Sequence, residues 1–347
     1  MKKFLWNVCW NRGLGWSLFR ILGTAYALFL VAWVLLESRL VYLPAKFPDG
    51  PWDLGKAVPG EGIIGPVVRE VSFPAGDGVI LHGWHGLLAR GGKDNFEPLP
   101  TDRLILWFHG NGGNVAFHYA ELLDMVDCNA EVFLVDYRGY GKSLGRPSEA
   151  GLTLDALGAW KHATQTLQFP PDRIVIFGET LGAAVAIDLA ASVKPAGLVL
   201  QSPFTSVPDV VGPILPILPR SLIRSKFDAL RRIPDVTSPI LIAHSLEDEV
   251  IPIEMGRRLL EAAKAPKEFL EIPAANHDQT WRDGGNDYRD RLQTFLDRCA
   301  PSKVFQPKNE IPKAKGKTGE DAPVKAGEPD PPKGGPAPGP KNAPVTP

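Results

Sequence analysis

The segment Gly178-Glu179-Thr180-Leu181-Gly182 places one hydroxyl between two glycines, directly after the apolar run RIVIF and directly before GAAVAIDLA. This is the pattern G-x-nucleophile-x-G at a strand-to-helix turn. The glycines let the backbone turn sharply and let helix and strand approach closely. The central side chain is lifted above the end of the sheet, near the positive end of the helix that follows. A hydroxyl attacks a carbonyl only when a base takes its proton, and the base must be oriented by a carboxylate. Both follow in chain order, acid first. Asp248 lies in SLEDEVIP, flanked by Glu247 and Glu249, and His277 lies in PAANHDQTW as the only histidine C-terminal to His244. Asp248 is the natural acid and His277 the natural base.

The reaction also needs donors for the developing oxyanion. The loop His109-Gly110-Asn111-Gly112-Gly113 follows the run LILWF. The backbone N–H of Asn111, with Gly112 as second choice, and the N–H of Leu181 are the expected donors. A bland reading exists for each motif: a glycine-rich turn, or a surface imidazole. The position of both after strands, in the required order, outweighs it.

Six short apolar runs read as strands: 104–108, 131–136, 173–177, 197–200, 240–244 and 268–272. Continuous apolar runs are expected where both sheet faces are covered. Helical patterns fall at 116–127, 148–168, 182–193, 254–263 and 287–298. Alternation of the two predicts an α/β fold with a doubly wound, mostly parallel sheet. The stretches 68–73 and 79–87, joined by AGDG, predict an antiparallel hairpin at its leading edge. The folded domain is expected over 68–300, with 203–239 as a short cap.

The flanks differ in composition. Residues 16–36 read WSLFRILGTAYALFLVAWVLL, with Arg20 the only charge. That meets the roughly 20 apolar residues of a bilayer span. No small-x-small site follows, and the charged leader 1–15 is long for a signal peptide, so an uncleaved anchor is expected. Lys2, Lys3, Arg12 and Arg20 outnumber Arg39 and Lys46 beyond the span. This bias places the N-terminus in the cytoplasm and the folded domain on the far side of the membrane. Residues 37–67 read as a linker, which makes the domain separable from the anchor. The tail 301–347, dense in Pro, Lys and Gly, cannot bury a core and is expected to be disordered. A net charge of −1 over 347 residues suggests no nucleic-acid partner. Cys9, Cys128 and Cys299 make neither a disulfide framework nor a zinc spacing.

The segments FHGNGGN, VDYRGYGKSLGRPSE, FGETLGAAVA, QSPFTSVPDV, DEVIP and NHDQTW, in this order, resemble the α/β-hydrolase superfamily. Within it they are similar to single-pass membrane hydrolases of the serine-aminopeptidase-like group. The resemblance spans nearly the whole middle of the chain. It implies hydrolysis of an ester, thioester or amide without metal or cofactor, and it makes Asp136, Arg138 and Ser143 scaffold. Three positions depart from the family pattern: Thr180 where serine is usual, Ser245 where glycine follows the acid strand's histidine, and Asn276 where glycine precedes the catalytic histidine. A dehalogenase-like variant is set aside because it needs aspartate at position 180.

Threonine keeps the hydroxyl but adds a γ-methyl in a turn where β-branching is poorly accommodated. The methyl is expected to push Oγ off the line to His277. Two functions therefore stay open on the sequence: a slowed hydrolase acting on a small-molecule or acyl substrate, and an inactive ligand-binding or interaction protein. Ile214, Leu215, Ile217 and Leu218 of the cap either favour a greasy substrate or pack on the core.

Overall fold

The run Leu104–Phe108 is apolar at every position and forms a strand buried on both faces. Leu104, Leu106 and Phe108 enter one hydrophobic layer, and Ile105 and Trp107 the other. That alternation is the strand's two-residue period at work. A computed structural model describes residues 2–54, 64–92, 95–273 and 275–304. Within them the strands are β1 (Leu43–Pro44), β2 (Ile64–Pro74), β3 (Ile80–Gly92), β4 (Asn95–Pro98), β5 (Leu104–Phe108), β6 (Gly112–Gly113), β7 (Glu131–Asp136), β8 (Ile174–Glu179), β9 (Gly197–Gln201), β10 (Ile240–Ser245) and β11 (Lys267–Ile272).

The main sheet runs β11-β10-β9-β8-β5-β7-β3-β2, with β4 paired to β3. All pairs from β11 to β7 are parallel, and the β2–β3–β7 pairs are antiparallel. Strand order reverses at β5, which lies between β7 and β8. In open α/β sheets such a switch point opens a crevice at the carboxyl ends of the strands. The loop after β5 and the turn after β8 both end there.

The α-helices are α1 (Lys2–Val41), α2 (Tyr119–Val126), α3 (Glu149–Lys161), α4 (Leu181–Val193), α5 (Val207–Ile214), α6 (Ala229–Arg232), α7 (Ile253–Ala262) and α8 (Thr280–Cys299). Leu152 and Ala156 of α3, with Val185 and Leu189 of α4, fill one layer; Leu122 of α2 and Leu292 and Phe295 of α8 fill the other. Helix boundaries moved where the backbone changes type. The predicted 148–168 helix ends at Lys161 and continues as a π-helical turn, His162–Thr166. The last helix starts at Thr280, earlier than predicted, and kinks at Gly285 with φ 51°.

The leader and the expected span form one helix, α1, whose stretch Gly15–Val41 has a mean hydropathy of 2.0. Among its described side chains one stripe is covered: Trp33 and Glu37 are buried, while Phe29, Leu30 and Val41 pack against the core. The 3.6-residue period places these side chains on one face. Residues 37–54, expected as linker, are thus seated on the domain through α1 and β1. Residues 55–63 of that stretch and residues 305–347 of the expected tail lie outside the described residues. In the cap, Leu218 packs on the core, and Ile214 and Ile217 stay exposed.

Candidate active site

Thr180 sits at the junction of β8 and α4 with φ 49° and ψ −103°. A non-glycine residue at positive φ is uncommon, and a β-branched one is strained. Its surroundings fix it there. The Thr180 N–H donates to Gln201 O at 3.0 Å, and the Ala183 N–H donates to Thr180 O at 3.2 Å. The two flanking glycines are there for space. A Cβ on Gly182 would stand 2.0 Å from Phe108 O, and one on Gly178 would stand 2.4 Å from Gly182 O. Any side chain at either position would force α4 away from β5 and β8.

The structure brings the three expected side chains together. Thr180 Oγ1 lies 2.9 Å from His277 Nε2. His277 Nδ1 lies 2.9 and 2.8 Å from the two carboxylate oxygens of Asp248. An ionised carboxylate only accepts, so Nδ1 carries the proton and Nε2 is left to accept from the Thr180 hydroxyl. The expected displacement of Oγ by the γ-methyl is therefore not found. The strain is held in the backbone turn, and the hydroxyl still reaches the base.

Asp248, whose side chain is fully buried, is further held by the N–H groups of Val250 at 3.0 Å and Ile251 at 2.7 Å. Burial alone would raise its pKa. The hydrogen bonds of His244 and His277, the charge of His277 and the Ile251 N–H together outweigh burial and hold the carboxyl well below the ordinary carboxylate range. His244 Nε2–H donates to Ile251 O at 2.8 Å and stands 3.4 Å from Asp248 Oδ2. The flanking acids do other work: Glu249 accepts from the His277 N–H at 3.3 Å.

The departures at 245 and 276 have local explanations. Ser245 Oγ donates to Ala275 O and accepts from the Glu247 N–H. It ties the loop that carries the acid to the loop that carries the histidine. Asn276 has φ −79°, an ordinary value that needs no glycine, and opens the short helix His277–Gln279.

The loop after β5 is held by an unexpected partner, the exit of α1. β1 and β6 pair in parallel, Leu43 with Gly112 and Pro44 with Gly113. Asn111 O accepts from the Leu43 N–H at 3.0 Å and from the Tyr140 hydroxyl at 2.8 Å, and Asn111 Nδ2 donates to Val41 O at 3.2 Å. Tyr137 of the DYRGYG segment donates to His109 O at 2.7 Å. Asp136 receives the Val115 N–H at 2.9 Å and sits 3.0 Å from His82 Nδ1. Arg138 binds Asp155 and Asp77. Ser143 donates to Asp136 O. Leu181 is the first residue of α4, so its N–H has no acceptor within the helix.

Thr180, His277, Asn111 and Gly112 line a cleft of about 610 Å³ whose inner wall includes Trp107, Phe177 and Trp281, with Glu121 and Glu179 beside them. None of the four apolar cap residues lines it. A somewhat larger cavity of about 720 Å³ lies beneath the cap, but Thr180, Asp248 and His277 are absent from its walls. Thr180 and His277 belong to the smaller cleft.

Comparison with known proteins bears on the family and the fold. Residues 100–227 match the serine aminopeptidase family S33, a span that holds Asn111 and Thr180 but ends before Asp248. An uncharacterized protein of Mycobacterium tuberculosis is 34% identical over 265 residues, covering 76% of this chain and 88% of its own. The α/β hydrolase domain-containing protein WAV2 of Arabidopsis thaliana is 31% identical over 297 residues, covering 78% and 90%. Among solved structures, the esterase Pf2001 of Pyrococcus furiosus superposes with a TM-score of 0.54 at 19% identity, over 74% of this chain and 98% of that one. The chain belongs to the α/β-hydrolase superfamily.

Proposed function

We propose that this hydrolase cleaves an ester, thioester or amide by acyl transfer through Thr180. The observation that carries the reading is the continuous hydrogen-bonded relay Thr180–His277–Asp248 at the mouth of a cleft. Thr180 Oγ1 attacks the substrate carbonyl carbon while its proton passes to His277 Nε2. The carbonyl's π electrons move onto its oxygen, which the N–H groups of Asn111 and Leu181 hold. Collapse of the intermediate breaks the bond to the leaving group, which takes the proton back from His277. Water, deprotonated by the same histidine, then releases the acid and restores Thr180. Asp248 keeps the imidazole in the required tautomer and stabilises its charged form. No metal or cofactor takes part.

The aromatic inner wall of the cleft suits an apolar acyl or leaving group. The competing reading, a fold kept only for ligand binding, rests on threonine at 180, and the intact relay weighs against it. A membrane anchor in α1, with the N-terminus cytoplasmic and the hydrolase domain on the opposite side, completes the proposal. The apolar length of Gly15–Val41 and the excess of Lys and Arg before it support this. So does the seating of Trp33 and Glu37 on the domain, contacts that cleavage of a signal peptide after them would remove. Hydrolysis of a short-chain nitrophenyl ester tests the activity. The native chain should turn the ester over, and Thr180→Ala and His277→Ala should each abolish it. Equal turnover in all three would remove this reading.

A further inference from the structure

We propose that the tip of the cap, around Ile214 and Ile217, is a second membrane-inserting element lying beside α1 in the same leaflet of the bilayer. The inference rests on the reading of α1 as a span. Its motive is an exposed apolar surface where the domain has no other cover: Ile214 is 70% and Ile217 62% exposed. The Tyr26 hydroxyl of α1 donates to Ile217 O at 2.9 Å, which fixes the tip against the helix.

The contact also sets the depth. Tyr26 lies about three turns, roughly 16 Å, before Glu37 along the helix. Glu37 meets the cap at Arg224 and Ser225. The cap therefore runs along α1 from the level of Tyr26 to the level of Glu37. If α1 spans from about residue 16, Tyr26 stands well inside the roughly 30 Å hydrocarbon layer, and Ile217 beside it.

The backbone of the tip leaves one N–H, that of Ile217, without a backbone acceptor, and its other groups suit that depth. Hydrocarbon offers no partner to an unpaired N–H. Pro213, Pro216 and Pro219 have none to pair. The Leu215 N–H donates to Val211 O at 2.8 Å and the Leu218 N–H to Leu215 O at 3.0 Å. Basic residues follow the tip along the chain. Residues 220–232 carry five basic side chains and one acidic one. The side chains of Arg220, Arg224 and Arg231 remain largely exposed, although each meets one carboxylate, of Asp209, Glu37 and Asp228 respectively. An apolar tip followed by exposed arginines is the layout of an interfacial anchor.

The test uses the full chain with Cys9→Ser, Cys128→Ala and Cys299→Ser as background. An environment-sensitive nitrobenzoxadiazole label is placed singly through Leu22→Cys, Ile217→Cys or Asp172→Cys. Leu22 reports on α1, and Asp172 lies at the amino end of β8, away from the cleft. The proteins are reconstituted in phosphatidylcholine–phosphatidylglycerol vesicles with and without acyl-chain doxyl quencher. Labels at 22 and 217 should both be quenched severalfold more than the label at 172. Quenching at 22 with 217 as bright as 172 would overturn the insertion and leave the anchor standing. No quenching at 22 or 217 would overturn the anchor reading and the proposal with it. Quenching at 217 without 22 would overturn the shared-leaflet arrangement. Ile214→Cys, one residue on the same tip, repeats the measurement should the label at 217 disturb folding, which circular dichroism of each labelled chain reports.

Discussion

Thr180 Oγ1 lies 2.9 Å from His277 Nε2 while the Thr180 backbone stands at φ 49°, so a β-branched residue reaches its base from a conformation that disfavours it. Such strain costs on the order of 1–3 kcal/mol and persists only where the surroundings over-determine it. Here the Gln201 carbonyl and the close approach of Gly182 to Phe108 do so. Thr180→Ser removes the crowding methyl and keeps the hydroxyl. Its thermal unfolding should show a gain of about 1 kcal/mol.

Asp248→Asn should lower ester turnover by about three orders of magnitude. The amide preserves the shape but donates toward Nδ1, which drives the imidazole into the tautomer that cannot accept from Thr180. Steady-state kinetics of the variant at neutral pH checks this. A loss under tenfold would separate Asp248 from the relay.

The same carboxylate sets an acid limit on stability. Its folded pKa lies below the unfolded value of about 3.9. The linked stabilisation is therefore complete above the ordinary carboxylate range and is lost as pH falls through that range toward the depressed folded value. Denaturant melts of the native chain should weaken from about pH 5 downward more steeply than those of Asp248→Asn, which lacks this titration.

Much of this was legible in the sequence, for a physical reason. Strands such as Leu104–Phe108 and Glu131–Asp136 are buried on both faces, so apolar runs mark them to the residue. Thr180, Asp248 and His277 stand out because each follows a strand, β8, β10 and β11 respectively, past its carboxyl end. The supporting residues carry no such mark. His244 and Ser245 read as the end of an apolar strand, and their hydrogen bonds to the Ile251 and Ala275 carbonyls depend on loops that only the fold brings close. The seating of α1 escaped for a related reason. Trp33 sits in a stretch whose apolar composition satisfies lipid on every face, and Glu37 is the first charge after it, so periodicity does not reveal the stripe that touches protein.

That seating changes what removal of the anchor should do. Glu37 is 1% exposed and accepts from the N–H groups of Arg224 and Ser225 and from Arg224 Nε. Glu37→Ala leaves two backbone donors without their acceptor and should cost about 3 kcal/mol. A chain lacking residues 1–38 should lose at least as much and expose the cap, where the sequence alone suggested a cleanly separable domain. Urea unfolding in detergent, native against Glu37→Ala, measures the difference. A change within about 0.5 kcal/mol would mean that α1 only tethers the domain.

Ser245→Gly restores the family residue and unties the acid loop from Ala275. One hydrogen bond is worth about 1 kcal/mol, so a loss of roughly fivefold in kcat at unchanged KM is expected. A rise in kcat would show that the serine hinders the relay.

The claim on which the account turns is that Thr180 is the attacking group. Labelling with a fluorophosphonate, followed by peptide mass mapping, reads it directly. The native chain should carry the phosphonyl adduct on Thr180, Thr180→Ser should form it at least about tenfold faster, equivalent to roughly 1.4 kcal/mol of barrier, and His277→Ala in either background should prevent it. No adduct at position 180 in the native and serine forms, with ester hydrolysis surviving in Thr180→Ala, would contradict the account.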